Sequence, residues 1–293
     1  MKTVAIVGVG LIGGSFGLAL RKAGFAGELL GVSSAPALEA GLKSGAISGT
    51  ATLEKAAAVS DLIYLAQPVD RIIETLGKLG PLARPGFLVT DAGSTKAAIV
   101  QKGAESLPLG TFLGGHPMAG KEQRGVQAAD ADLFRGRTYV LTPIGPDTQN
   151  SKEFRTWLVR IGANIVEMSP SEHDRIVAFT SHLPQLVSTS LASTLAKQNQ
   201  AAFAEIFGSG LLDMTRLALS PSDLWMSILA TNRAEVMAAI SAFLDSLTEL
   251  RDSISNEDSA RFFDMAAHFA GTLRNCNLQD SQERFASSFV KQI

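Results

Sequence analysis

Two stretches of this chain carry residue types and spacings suited to chemistry. The first is Gly114-Gly115-His116-Pro117-Met118-Ala119-Gly120-Lys121-Glu122. A strand-like run, 111–113, leads into two glycines, then a histidine, then a carboxylate six residues further on. Glycines allow backbone to pass close to a ligand. Proline at 117 pushes His116 out of the α region, so the imidazole is expected at a strand end on extended backbone. An imidazole titrates near neutral pH and is suited to accepting a proton. Alone, the stretch reads more simply as a turn with a surface histidine; the rest of the chain shifts that balance. The second stretch, Gly8-Val9-Gly10-Leu11-Ile12-Gly13, is a G-x-G-x-x-G pattern between the β-branched run 3–7 and a helix-forming segment, 14–23.

In that context the glycines have separate tasks. Gly8 permits a tight turn, Gly10 lets a pyrophosphate approach the backbone, and Gly13 lets helix pack on strand. Unpaired N–H groups and the helix dipole at Leu11 and Ile12 then attract phosphates. An NAD site places Asp or Glu at the end of the second strand, 29–32, to hold the ribose hydroxyls. Here Ser33 and Ser34 stand there. Nothing repels a 2′-phosphate and two hydroxyls can bond one, but no arginine adjoins them, so the reading leans to NADP over NAD.

The elements that must position these groups follow from periodicity. Strand-like runs recur at 62–65, 87–90, 112–115, 139–141 and 164–166, with helical stretches at 35–44, 69–79, 95–106 and 151–161. Such alternation predicts an α/β Rossmann-type parallel sheet with helices on both faces. Ligands in these sheets lie outside the carboxyl ends of the strands. Gln67-Pro68, Asp91-Ala92-Gly93-Ser94 and Gly115-His116 all follow strand ends and are expected to open onto one crevice. Asp91 and Ser94 also read as helix caps. Lys96 reads either as a cap or as a group reaching a phosphate.

The character changes after Met168. Ser169-Pro170-Ser171-Glu172 reads as N-cap, N1 proline and capping-box glutamate. The remainder is read as all-helical, giving a dinucleotide-binding domain over 1–168 and a helical substrate and dimerisation domain over 169–293. Pro184 is expected to kink the first long helix beside His182. Further helices are read at 200–207, 211–219, 222–230, 232–253 and 257–275. Their wide apolar faces predict a homodimer through the helical half.

Composition narrows the classes. The 293 residues are 46% hydrophobic and 18% charged, with a formal net charge of -2, which argues against a general nucleic-acid or anionic-membrane binder. One cysteine, Cys276, excludes an internal disulfide and a multi-cysteine metal site and fits a reducing cytoplasm. Glycines at 8, 10, 13 and 14 interrupt the apolar start, so a signal peptide is not expected. No apolar run is long enough to span a bilayer.

Taken together, the chain resembles the TyrA family, the prephenate and arogenate dehydrogenases of tyrosine biosynthesis. The resemblance covers nearly the whole length. It rests on Gly8–Ser15, on Asp91-Ala92-Gly93-Ser94-Thr95-Lys96, on Gly115–Glu122, on Ser181-His182-Leu183-Pro184, and on Asp213-Met214-Thr215-Arg216 with Trp225 nine residues on. It implies hydride transfer from ring C4 of a cyclohexadienol to a nicotinamide, with loss of the ring carboxylate. It gives the C4 hydroxyl proton to His116 as base, with Ser94 bonding both histidine and substrate oxygen. It gives a substrate carboxylate to Arg216, a gating or pH-sensing role to Glu122, and the pocket lining to His182 and Trp225. Residues alone leave His182 equally suited to capping carbonyls freed by Pro184. Prephenate-using members often carry a second histidine where this chain has Gln185; an amide can bond a keto acid or an amino acid, so the change tilts towards arogenate or dual use. The end at Ile293 leaves no room for a chorismate mutase or ACT-type domain, so any tyrosine inhibition is expected at the active site. Two competing readings are a β-hydroxyacid-type dehydrogenase, which would need a helical-half lysine in a matching motif, and a catalytically silent NADP-binding redox sensor, which would not need His116, Ser94 and Arg216.

Overall fold

The computed structural model describes residues 1–121, 123–198, 203, 205–256 and 259–289, with side chains described through residue 275. Alternation of apolar residues on both strand faces builds its sheet. In β1 (Thr3–Val7), Val4 and Ile6 enter one core cluster while Ala5 and Val7 enter the other. In β4 (Leu62–Leu65), Leu62 and Tyr64 face the first cluster, Ile63 and Leu65 the second. A strand buried on both faces must be covered on both, and this sheet is. Phe16 of α1 (Leu11–Lys22) stacks on Tyr64 with ring centroids 4.0 Å apart, fixing α1 on the first face. On the second face lie α4 (Val69–Leu79), through Ile72 and Leu76, and α5 (Ala97–Ser106), through Ile99.

Eight strands form one sheet in the order β3-β2-β1-β4-β5-β6-β7-β8, where β2 is Glu28–Val32, β3 Gly49–Thr50, β5 Leu88–Asp91, β6 Phe112–Pro117, β7 Thr138–Pro143 and β8 Asn164–Glu167. α2 (Ala35–Ser44) and α3 (Leu53–Val59) flank the short β3, an excursion without a readable period. The strand order reverses between β1 and β4, and the turns after these two strands flank that switch point. The first six strands are parallel, as expected, but β7 pairs antiparallel with β6, from Leu113↔Pro143 to Pro117↔Tyr139. A parallel return needs a crossover element. Among the described residues only a single 3-10 turn, Val126–Ala128, lies between β6 and β7, and the chain comes straight back. α6 (Gln149–Arg160) then restores a parallel crossover from β7 to β8.

No strand follows β8 among the described residues. α7 (Pro170–Val177) starts at Ser169, whose hydroxyl accepts from Glu172 N–H at 3.2 Å, as the motif predicts. Ahead of Pro184 the helix widens into one π turn, Ala178–His182, and runs on as α8 (Leu183–Gln198). The π turn supplies the adjustment to the proline's missing N–H. α9 (Ser209–Thr215), a 3-10 turn over Arg216–Leu219 and α10 (Ser222–Thr231) follow. The helix expected over 200–207 falls largely outside the described residues. The change from strand to helix lies at 168/169, whereas compactness divides the chain into 1–237 and 238–293. The second unit holds the latter part of α11 (Arg233–Ser255) and all of α12 (Ala260–Phe289). Its helices leave Leu244, Leu247, Ile254, Phe263 and Phe269 exposed.

Candidate active site

Backbone builds the first part of the site. Gly8 leaves β1 with φ of +95°, and its N–H donates to Val32 O at 2.9 Å. A Cβ at position 8 would stand 2.5 Å from Ala66 O, and one at Gly13 2.1 Å from Gly8 O, so neither position has space for a side chain. A Cβ on Gly10 would meet nothing within 4 Å. The turn is therefore closed at Gly8 and Gly13 and open at Gly10, where α1 begins. That opening fits a pyrophosphate on backbone N–H groups. A cavity of about 740 Å³ lies there, lined by Gly8, Gly10, Ser33, Ser34, Gln67 and Pro68 among others, with no charged side chain in its lining among the described residues. Ser34 precedes α2 and makes no capping hydrogen bond, so its hydroxyl stays available.

A second cavity, about 440 Å³, shares Ala66, Gln67, Pro68 and Gly125 with the first. Leu11, Ile12, Ser94 and Arg216 line it. Its other charged lining residues are Lys121 and Arg124, so among the described residues its charge is wholly basic. Lys121 pairs with Asp130 at 2.9 Å, and Arg124 forms a two-pronged pair with Asp223 at 2.9 and 3.0 Å. Gln67 is held by Thr75, whose hydroxyl donates to its Oε1 at 2.9 Å. Glu122 lies outside the described residues.

His116 stands near the end of β6, half-buried, just before the Ala119-Gly120-Lys121 segment that lines the second cavity; the ring itself is not among the lining. Its Nδ1 lies 2.8 Å from His173 Nε2, and His173 Nδ1 lies 2.8 Å from Asp174 Oδ1. Asp174 also accepts from Lys96 N–H at 2.6 Å and Ala97 N–H at 2.9 Å, so it caps α5 from a distance. Neither Asp91 nor Ser94 caps that helix, contrary to their sequence pattern. Asp91 instead accepts from Gly93 N–H at 2.8 Å and Gly115 N–H at 3.0 Å, tying β5 to β6 beside His116. Ser94 is left in the cavity wall.

Lys96 neither caps α5 with its side chain nor reaches a cavity. It is wholly buried, its Nζ bonded to Asp91 and, at 2.7 Å, to Gly115 O. Burial lowers its pKa, and the Asp91 carboxylate works against that. Removing one partner of such a pair costs about 3–5 kcal/mol, because a buried charge is left alone. The His116 pKa is held well below the ordinary imidazole range, first by burial and then by the nearby His173, Lys96 and His182. The ring is thus neutral at neutral pH, as a base must be.

The remaining expected residues lie behind this cluster. His182 is 1% exposed, and its Nδ1 is 3.3 Å from Asn232 Nδ2, which also donates to Asp174 O at 2.8 Å. It therefore bonds an amide, not a carbonyl freed by Pro184. Burial lowers its pKa to about 4. Trp225 meets its ring edge-on, with centroids 5.9 Å apart. Neither residue lines the second cavity, although Leu224 and Ile228 beside Trp225 do. Gln185 is buried, and its Nε2 donates to Leu217 O at 2.8 Å, next to Arg216. Sequence reasoning missed His173, Asp174 and Asn232. The Glu172-His173-Asp174 run was visible, but read only as part of a helix start; nothing local says that it reaches residue 116.

Comparisons with known proteins place the chain in one family. Residues 16–167 match the family model described as the prephenate dehydrogenase nucleotide-binding domain, and 169–268 that described as the prephenate dehydrogenase dimerization domain. A prephenate dehydrogenase of Lactococcus lactis is 36% identical over 269 residues, spanning 88% of this chain and 73% of the relative. The crystal structure of prephenate dehydrogenase from A. aeolicus in complex with hydroxyphenyl propionate and NAD+ superimposes with a TM-score of 0.87 at 31% identity, covering 93% of this chain and 98% of that one. Synechocystis arogenate dehydrogenase gives a TM-score of 0.76 at 28% identity, covering 92% and 98%.

Proposed function

Because the chain belongs to the prephenate dehydrogenase family, it is an NAD(P)-dependent oxidoreductase that oxidatively decarboxylates prephenate and/or arogenate, and we propose that His116, Ser94 and Arg216 carry that reaction. The family assignment favours this reading over the β-hydroxyacid and redox-sensor ones.

The observation that carries the assignment of Ser94 and Arg216 is the second cavity, and His116 stands just before the Ala119-Gly120-Lys121 segment of its lining. The cavity brings Leu11 and Ile12 of the nucleotide side together with Ser94 and Arg216, in a lining whose charge is basic among the described residues. Prephenate carries two carboxylates, so a basic cavity against the cofactor's end suits it. The bound nicotinamide supplies the hydride acceptor. His116 takes the C4 hydroxyl proton through Nε2, the nitrogen not engaged by His173. Ser94 bonds the same substrate oxygen. Arg216 grips a carboxylate with two parallel hydrogen bonds, which a guanidinium does well. Gln185 acts on side-chain preference through the turn it ties down beside Arg216, with His182 and Trp225 as the wall behind and Glu122 as the gating carboxyl.

The cofactor reading favours NADP, supported by Ser33 and Ser34 and by the lack, among the described residues, of any carboxylate in the first cavity's lining. The exposed apolar residues of 238–293 support a homodimer through the helical region, with the functional division at 168/169. Among the described residues no helix is long and apolar enough to cross a membrane; a cytoplasmic setting rests on the single cysteine. One assay tests the reading: turnover of prephenate and of arogenate, each with NAD and with NADP. Activity with at least one substrate is expected, and NADP is expected to serve at least as well as NAD. A strong NAD preference overturns the cofactor reading; no turnover in any arm overturns the substrate reading.

A further inference from the structure

The contacts around His116 fix more than its position. Asp174, ionised, can only accept hydrogen bonds. It already takes Lys96 N–H and Ala97 N–H, at the start of α5 where the helix dipole favours a negative charge. His173 Nδ1, at 2.8 Å from the same carboxylate, must then carry a hydrogen. A neutral imidazole with its proton on Nδ1 has its lone pair on Nε2. That nitrogen faces His116 Nδ1 at 2.8 Å, so His116 must donate there and leave its own lone pair on Nε2. Both His173 and Asp174 are almost fully buried, at 1% and 2% exposure, so water does not compete for the bond between them.

We propose that His173 and Asp174 are positioning residues for the reaction: the Asp174–His173 pair sets the His116 tautomer so that Nε2, the nitrogen not engaged by His173, is the one able to accept a proton. The inference rests on the reading of His116 as base. The other tautomer would put hydrogen on His116 Nε2 and leave no lone pair towards the substrate oxygen. After proton uptake at Nε2, the His116 Nδ1–H bond to His173 persists, and the new positive charge sits one ring away from the Asp174 carboxylate. Asn232 bonds the backbone carbonyl of Asp174, so among the described residues the carboxylate serves His173 and the two α5 amides. A purely structural role for the pair would require neither this order of donors nor an imidazole in the middle.

The test combines spectroscopy with kinetics. In wild-type protein at neutral pH, histidine 15N shifts, assigned by loss of the signals in His116→Asn, are expected to show His116 protonated on Nδ1 and unprotonated on Nε2. The reverse assignment overturns the proposal without any variant. His173→Leu is expected to lower kcat about 10²-fold with KM for substrate and cofactor changed less than about threefold. His173→Gln keeps an acceptor for His116 and is expected to recover at least tenfold of that loss. Equal rates for wild type and His173→Leu overturn the proposal, as does equal loss in both His173 variants when each binds cofactor normally. If His173→Leu does not fold, the wild-type shifts and the His173→Gln rate decide: a wild-type-like tautomer with a partial loss supports the proposal, and a shifted tautomer with an unimpaired rate overturns it. His116→Asn assayed in parallel separates the two readings, because retained activity there removes the base itself and not only its positioning.

Discussion

The glycine turn and the histidine cluster sit at the ends of two parallel strands of one sheet, β1 and β6, with β4 and β5 between them, yet they are built in opposite ways. At the turn, every essential contact is between backbone atoms or residues close in sequence, apart from the approach to Ala66. At His116 the working contact comes from 57 residues away, through His173, with Asp174 behind it. A backbone-built site tolerates no side chain but needs no partner. A side-chain-built site needs each partner's protonation to be right. The first fails by steric exclusion, the second by chemistry.

That contrast can be broken most forcefully at the turn. Gly13→Val would drive a side chain into Gly8 O, 2.1 Å from the new Cβ. Cofactor KM is expected to rise more than about 10²-fold, with loss of thermal stability as well, since overpacking usually costs about 1–3 kcal/mol or more. A normal cofactor KM would mean that the turn is not the pyrophosphate cradle.

His116→Asn should do the opposite. Turnover is expected to fall about 10²–10⁴-fold, the usual range for a general base. Cofactor affinity, read by fluorescence titration, should stay near wild type. A coupled loss of affinity would erase the distinction between the two regions.

The pH dependence of stability sharpens the comparison, because only the histidine region titrates near neutrality. His182 has a pKa of about 4 in the folded chain against the ordinary 6.5. Between those values the unfolded chain holds a proton that the folded chain does not. Stability is therefore fully present above about pH 6.5 and lost as pH falls towards 4, on the order of 3 kcal/mol from this group. His116 adds in the same direction, since its folded pKa is also lowered. Urea midpoints from pH 7 to 4.5 should fall steadily; a flat series would mean that these rings are not buried neutral.

The smallest effect is expected at Arg216, at the exposed rim of the second cavity. Arg216→Ala should raise substrate KM about tenfold to 10²-fold while kcat changes less, because a carboxylate grip is largely uniform binding. An unchanged KM would take the guanidinium out of the site.

Much was readable from the chain alone, for a physical reason. Strand periodicity, the glycine spacing at 8, 10 and 13, and the Ser169 cap are local patterns, and local patterns act wherever the chain goes. β4 and α4 appear at their expected residues, and the start of α7 follows its cap. The antiparallel return of β7 was less visible, because it depends on the lack of a crossover helix after residue 117. Asp91 and Lys96 looked like helix-start residues, because nothing in their neighbourhood announces Gly115 as their partner.

What only the tertiary structure decided is which polar groups meet. It turned Lys96 inward, gave the cap of α5 to Asp174, and set His173 between that carboxylate and His116. The types and order of these residues were fixed by the sequence. Their pairing was not, because burial makes a hydrogen bond obligatory without saying which distant group will supply it, and only the packing of α7 against the start of α5 and against His116 settles that choice.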